Sequence, residues 1–171
     1  MSKINVHVLE FFSCDCTHIE VVLEEQTQEG TLYYNIDRWA DPLDQAKIND
    51  EECLKLLKDA NKEVTFTIDR DMNQIIECWK KEYSSNEGNI CCNNCADATA
   101  WFLDTFANIT NPGSCAKPIT CDYLCCGFFA PSFLQACTPT LPGRVMGYVA
   151  DHIQHETSAL LGPKTMTMSK K

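Results

Sequence analysis

Three β-type runs stand at the head of this chain and constrain it more than anything that follows. Ile4, Val6 and Val8 alternate with Asn5 and His7, and Leu9 to Phe12 extend the run. A short polar loop, Ser13 to Thr17, precedes His18-Ile19-Glu20-Val21-Val22-Leu23, a stretch rich in β-branched residues. A polar turn ending in Gly30 leads to Thr31-Leu32-Tyr33-Tyr34-Asn35-Ile36, so the second and third runs are expected to form a hairpin. The first ~37 residues therefore read as a small antiparallel sheet.

Helical spacing takes over next. Asp41-Pro42 has the form of a helix start, a capping residue followed by proline. Leu54 and Leu57, flanked by Lys55 and Lys58, suggest an amphipathic helix over about residues 50–60. Val64, Phe66 and Ile68 alternate once more, which fits one further strand. Met72, Ile75, Ile76 and Trp79 recur at helical spacing, and residues 84–89 read as a turn-rich break. Cys95 to about Ala107 is the clearest central helix, carrying Ala98, Trp101, Phe102 and Phe106. Prolines then punctuate the chain, with a further helix expected from about Pro142 to Gln154. Trp39, Trp79 and Trp101 read as core. The fold class expected is α+β, a single domain over residues 1–155 with a flexible tail over 156–171.

Composition narrows the class of function. The 171 residues suit one domain with a proper core. The net charge of −10 argues against nucleic acid or an anionic membrane as partner, since both reward clustered Lys and Arg. The opening residues lack the apolar stretch of a signal peptide, and no stretch nears the ~20 residues of a spanning helix. A cytoplasmic, reducing location is the expectation. There the 12 cysteines are mostly small buried hydrophobes, with one or a few reactive or metal-bound. Cys53, Cys78, Cys115, Cys121, Cys125, Cys126 and Cys137 sit among core-like apolar residues and read as structural.

Asn93-Asn94-Cys95-Ala96-Asp97 carries the most chemical information. Asn94 is a favoured N-cap and Asp97 follows like the acidic half of a capping box, which puts Cys95 at the first helical position. Free N–H groups and the positive helix end favour thiolate there, and the same groups suit an oxyanion. Asp97 opposes the thiolate unless it turns away to cap the backbone. The plainer alternative is a cysteine that simply packs at a helix start. A nucleophile also needs a base. His152 and His155 read as surface residues and His7 lies within the first strand. His18 opens a strand beside a loop, from which it can reach a neighbouring helix N-terminus.

This order of parts resembles the permuted members of the papain-like superfamily: the PPPDE-type isopeptidases, lecithin-retinol-acyltransferase-like enzymes and NlpC-type peptidases. His18 to Leu23 followed by Leu32 to Asn35 is similar to their histidine hairpin. Asn93-Asn94-Cys95 followed by Trp101-Phe102-Leu103 is similar to their nucleophile helix, and the resemblance spans about residues 3–107. It implies a sheet packed on a central cysteine-bearing helix, with Cys95 as nucleophile and His18 as general base. A third polar residue would come from the partner strand, Asn35 first and Asp37 in reserve, with Asn94 helping to hold the oxyanion. The implied reaction is hydrolysis or acyl transfer at an amide, isopeptide or ester bond of a protein, peptide or lipid ester, with no cofactor. Small hydrolases of this kind also occur among effectors that bacteria inject into host cells. Ala96-Asp97 departs from the Asn-His-Phe or Glu-His-Phe often found after the cysteine.

Two other chemistries use the same residues. Cys92-x-x-Cys95 is a zinc-type pair, and Cys14-x-Cys16-x-His18 offers three more ligands if the hairpin packs on the helix. That would make the chain a zinc-stabilised interaction module without catalysis. A redox-active Cys92–Cys95 pair is the remaining possibility, although no βαβ context surrounds it.

Overall fold

The computed structural model describes residues 2–12, 17–85, 95–110 and 145–154. Within them the chain runs β1 (Ser2–Phe12), β2 (Thr17–Gln26), β3 (Thr31–Ile36), β4 (Lys47–Ile48), α1 (Glu51–Asp59), β5 (Lys62–Arg70), α2 (Met72–Ser85) and α3 (Cys95–Phe106). Residues 145–154 form a fourth helix, α4. The class is α+β. The five strands form one antiparallel sheet in the order β4-β3-β2-β1-β5.

Alternation along the strands divides their side chains between two faces. One face carries Ile4, Val6, Val8, Ile19, Val21, Leu23, Tyr34, Ile36 and Ile68. It shares the main core with Met72, Ile75, Ile76 and Trp79 of α2, with Phe102, Leu103 and Phe106 of α3, and with Val145 and Val149 of α4. The opposite face buries Leu9, Val22 and Tyr33 against Cys53 of α1, with Leu56 and Leu57 alongside. β2 lies at the centre of the sheet and is covered on both sides. That is why Ile19 to Leu23 reads as a nearly continuous apolar run rather than an alternation.

Local chemistry sets the helix starts. The Asp50 carboxylate accepts the backbone N–H groups of Glu52 and Cys53 at 2.9 and 3.2 Å, and Glu51 and Glu52 complement the positive end of α1. Asp71 does the same for Asn73 and Gln74 at 2.9 and 3.2 Å at the head of α2. Gly30 closes the β2–β3 hairpin with φ +142°, and a Cβ there would stand 2.9 Å from Cγ2 of Ile48. Only glycine takes that conformation without strain.

Two expectations are corrected. Asp41-Pro42 starts no helix, because tertiary partners hold the segment in an irregular path. The Tyr34 hydroxyl donates to the Leu43 carbonyl at 3.1 Å, the Tyr83 hydroxyl donates to Asp41 at 3.2 Å, and Lys80 pairs with Asp44 at 3.1 Å. Trp39 is not core: it is 53% exposed, whereas Trp79 is buried and Trp101 packs against the core. The tail over 156–171, His155, Asn93, Asn94 and Cys14, Cys16, Cys92, Cys115, Cys121, Cys125, Cys126 and Cys137 lie outside the described residues. Cys53, Cys78 and Cys95 are free thiols.

Candidate active site

β3 ends at Ile36, opposite Val21, so residues 17–20 of β2 have β1 on one side and no ladder partner on the other. His18 belongs to this open end. It stands opposite Phe11 of β1, with the two rings 6.2 Å apart, and its side chain is 30% exposed. Residues two apart on a strand share a face, so Glu20 follows His18 on the same side of the sheet. Continuing the β2–β3 register one step past Val21 and Ile36 brings Asp37 abreast of Glu20. Asn35, opposite Val22, is then the diagonal neighbour of Glu20.

The side chains meet as that register dictates. Glu20 Oε1 is 3.6 Å from Nε2 of His18, and Oδ1 of Asp37 is 3.8 Å from the same nitrogen. Asn35 Nδ2 donates to the other Glu20 oxygen at 2.7 Å. The sequence-predicted third residue thus bonds to Glu20, and it is Glu20 that faces the imidazole. Asp37 also faces the imidazole and accepts the backbone N–H groups of Arg38 and Trp39, the latter at 3.1 Å. Burial raises the Asp37 carboxyl above its ordinary value and the neighbouring Glu20 charge adds to this, against the pull of the backbone N–H groups and His18.

Cys95 is the first residue of α3 and is 8% exposed at the margin of the main core. Its thiol and the His18 imidazole are hydrogen-bonded to each other. Burial by itself would lower the imidazole. The hydrogen bond to Cys95 and the Glu20 carboxylate 3.6 Å away outweigh it and raise His18 to about 10. A histidine so placed holds its proton at neutral pH.

Sequence reasoning named His18, Cys95, Asn35 and Asp37, and the structure brings all four to one place. It passed over Glu20 as a member of the site. The signal was present as His-x-Glu on a strand, two residues that must share a face. The other described histidines lie elsewhere. His7 is held between Glu63 at 2.7 Å and Glu24 at 3.4 Å, and His152 stacks on Tyr148.

His18, Glu20 and Asp37 offer ligand atoms within 4.8 Å of one another, a donor set of the kind a divalent cation uses. An imidazolium facing two carboxylates accounts for the same spacing without an ion. The zinc set that adds Cys14, Cys16 and Cys92 falls outside the described residues. Compared with known proteins, the chain matches no family model, no curated protein and no solved structure.

Proposed function

We propose that this chain is a cysteine-nucleophile hydrolase or acyltransferase acting on an amide, isopeptide or ester bond. The observation that carries the reading is the hydrogen bond between Cys95, at the head of α3, and a His18 raised to about 10. The order of parts supports kinship with the permuted papain-like enzymes. A histidine strand inside a small sheet comes first, and the cysteine helix that packs on it comes later.

The chemistry follows from the arrangement. Glu20 and Asp37 occupy the Nε2 side of the ring, which leaves Nδ1 for the thiol. The Cys95 thiolate attacks a carbonyl carbon, and the carbonyl electron pair moves onto oxygen. Backbone N–H groups at the positive end of α3 receive that charge. When the tetrahedral species collapses, the bond to the leaving amine or alcohol breaks and the His18 proton goes to the departing atom. Water, or an acceptor amine, then gives its proton to His18 and attacks the thioester, which releases the thiolate. Glu20, held by Asn35, keeps the ring oriented through both steps. Peptide, isopeptide and lipid ester are the substrate classes in view. The reading requires a compartment that keeps thiols reduced, such as the cytoplasm of the producing cell or of a host cell.

The test is site-resolved alkylation with limiting iodoacetamide at roughly pH 6, where ordinary thiols are protonated. In the wild type Cys95 labels far ahead of the other cysteines, and in His18→Ala that lead disappears. A Cys95 no faster than the rest of the thiols would sink the proposal.

A further inference from the structure

Arg38 follows Asp37 in the chain and carries a permanent positive charge. It is only 3% exposed, and no carboxylate among the described residues forms an ion pair with it. Its Nη1 donates to the Tyr83 carbonyl at 3.5 Å, a long contact. The guanidinium carbon lies 4.7 Å from the centre of the Tyr83 ring and 5.9 Å from that of Trp79, so cation–π attraction offsets part of the burial. Among the described residues Nε and Nη2 have no hydrogen-bond partner. The indole N–H of the adjoining Trp79, 1% exposed, also has none.

Unpartnered donors on a buried charge are costly, and their pattern here is specific. Nε and Nη2 share one edge of the planar guanidinium, with their N–H bonds side by side. That edge is the fork a carboxylate binds with both oxygens. A phosphate fits it less well, because its additional charge and oxygens would face the aromatic walls of Trp79 and Tyr83 without donors. The net charge of −10 repels anions in general, so any selectivity for one comes from this local group. Arg38 is also tied to the reacting centre. Its own backbone N–H donates to Asp37, whose carboxylate stands 3.8 Å from His18.

We propose that the Nε–Nη2 edge of Arg38 is a carboxylate-binding subsite, and that the substrate of the Cys95 centre carries that carboxylate. The second part rests on the thiol-hydrolase reading above. Substrates then divide by charge: an amide or ester bearing a carboxylate near the scissile bond is accepted, and its neutral counterpart is poor.

The experiment uses N-iodoacetyl derivatives of glycine, β-alanine and γ-aminobutyrate, each paired with its neutral carboxamide. Cys95 labelling is followed by peptide mapping in the wild type, Arg38→Met and Arg38→Lys, with thermal melts to verify folding. At one chain length the carboxylate should label Cys95 about tenfold faster than its amide, the scale of a charge-assisted bidentate contact. Arg38→Met should bring that ratio below one, and Arg38→Lys, which keeps the charge but not the fork, should fall between. If no carboxylate outruns its amide while Cys95 still reacts fast with iodoacetamide, the subsite is refuted and the hydrolase reading stands. If Cys95 reacts slowly with every reagent, the hydrolase reading fails, and melts in glutarate and in inorganic phosphate decide the subsite alone. A rise in Tm with glutarate that Arg38→Met abolishes supports it. No rise, or a rise with phosphate only, overturns it.

Discussion

Asn35 donates its side-chain N–H to one oxygen of Glu20 at 2.7 Å, and the other oxygen of Glu20 faces His18 at 3.6 Å. The amide therefore acts on the imidazole through a carboxylate. Glu20 is almost wholly buried, and its negative charge is held by a neutral donor on one side and an imidazolium on the other.

Replacing that carboxylate should be felt first in the imidazole. In Glu20→Gln the His18 midpoint, followed by NMR of the ring protons, is expected to fall from about 10 by roughly 1–3 units, the usual effect of an opposite charge at this range. Cys95 alkylation at low pH should slow in parallel. An unmoved His18 midpoint would remove Glu20 from the site.

Asn35→Ala leaves Glu20 Oε2 buried without its donor. The expected cost is about 1–3 kcal/mol of stability, read by urea unfolding. Asn35→Asp, which sets a second carboxylate against Glu20, should be worse still. Asp37→Asn should be milder than either, because its side-chain oxygen still accepts the backbone N–H groups of Arg38 and Trp39.

Stability should depend on pH through His18. A folded-state value raised from 6.5 to about 10 means that the native state binds the proton more tightly than the unfolded chain does. The stabilisation is complete below 6.5, declines as pH rises above it, and is lost on passing about 10. Tm should fall across that window in the wild type and fall less in His18→Gln. Equal slopes for the two proteins would show that His18 is not the linked group.

The contact between Cys95 and His18 depends on the docking of α3. Phe102, fully buried between α3 and the sheet, should cost about 3–5 kcal/mol when cut to Ala. Cys95 should then lose its labelling advantage at denaturant concentrations where the wild type keeps it. Loss of stability without loss of that advantage would separate the pair from α3 packing.

The strands and helices were largely legible because each is a local pattern. Val64, Phe66 and Ile68 alternate, Met72, Ile75, Ile76 and Trp79 recur at helical spacing, and both sets lie where those periods put them. Asp41-Pro42 misled because a good local start signal was overridden by Tyr34 of the preceding strand and by Tyr83 and Lys80, far along the chain, which hold the loop. Trp39 misled because aromatic character says little about exposure just beyond a strand end.

The residues of the site were mostly readable, and their bonding was not. The sequence by itself determined that His18 and Glu20 share a face of their strand, that Asn35 and Asp37 share a face of theirs, and that Cys95 opens a helix. Each of these follows from a strand period of two or from a cap. Only the tertiary structure decided that the β2–β3 register lays Asn35 and Asp37 beside Glu20, and that α3 brings its first residue to His18. It also decided that Arg38 is buried against two aromatic rings, with one edge unpartnered among the described residues. Such contacts join residues distant in the chain, and they are set by how the sheet and helices fill a shared core, a property no local window contains.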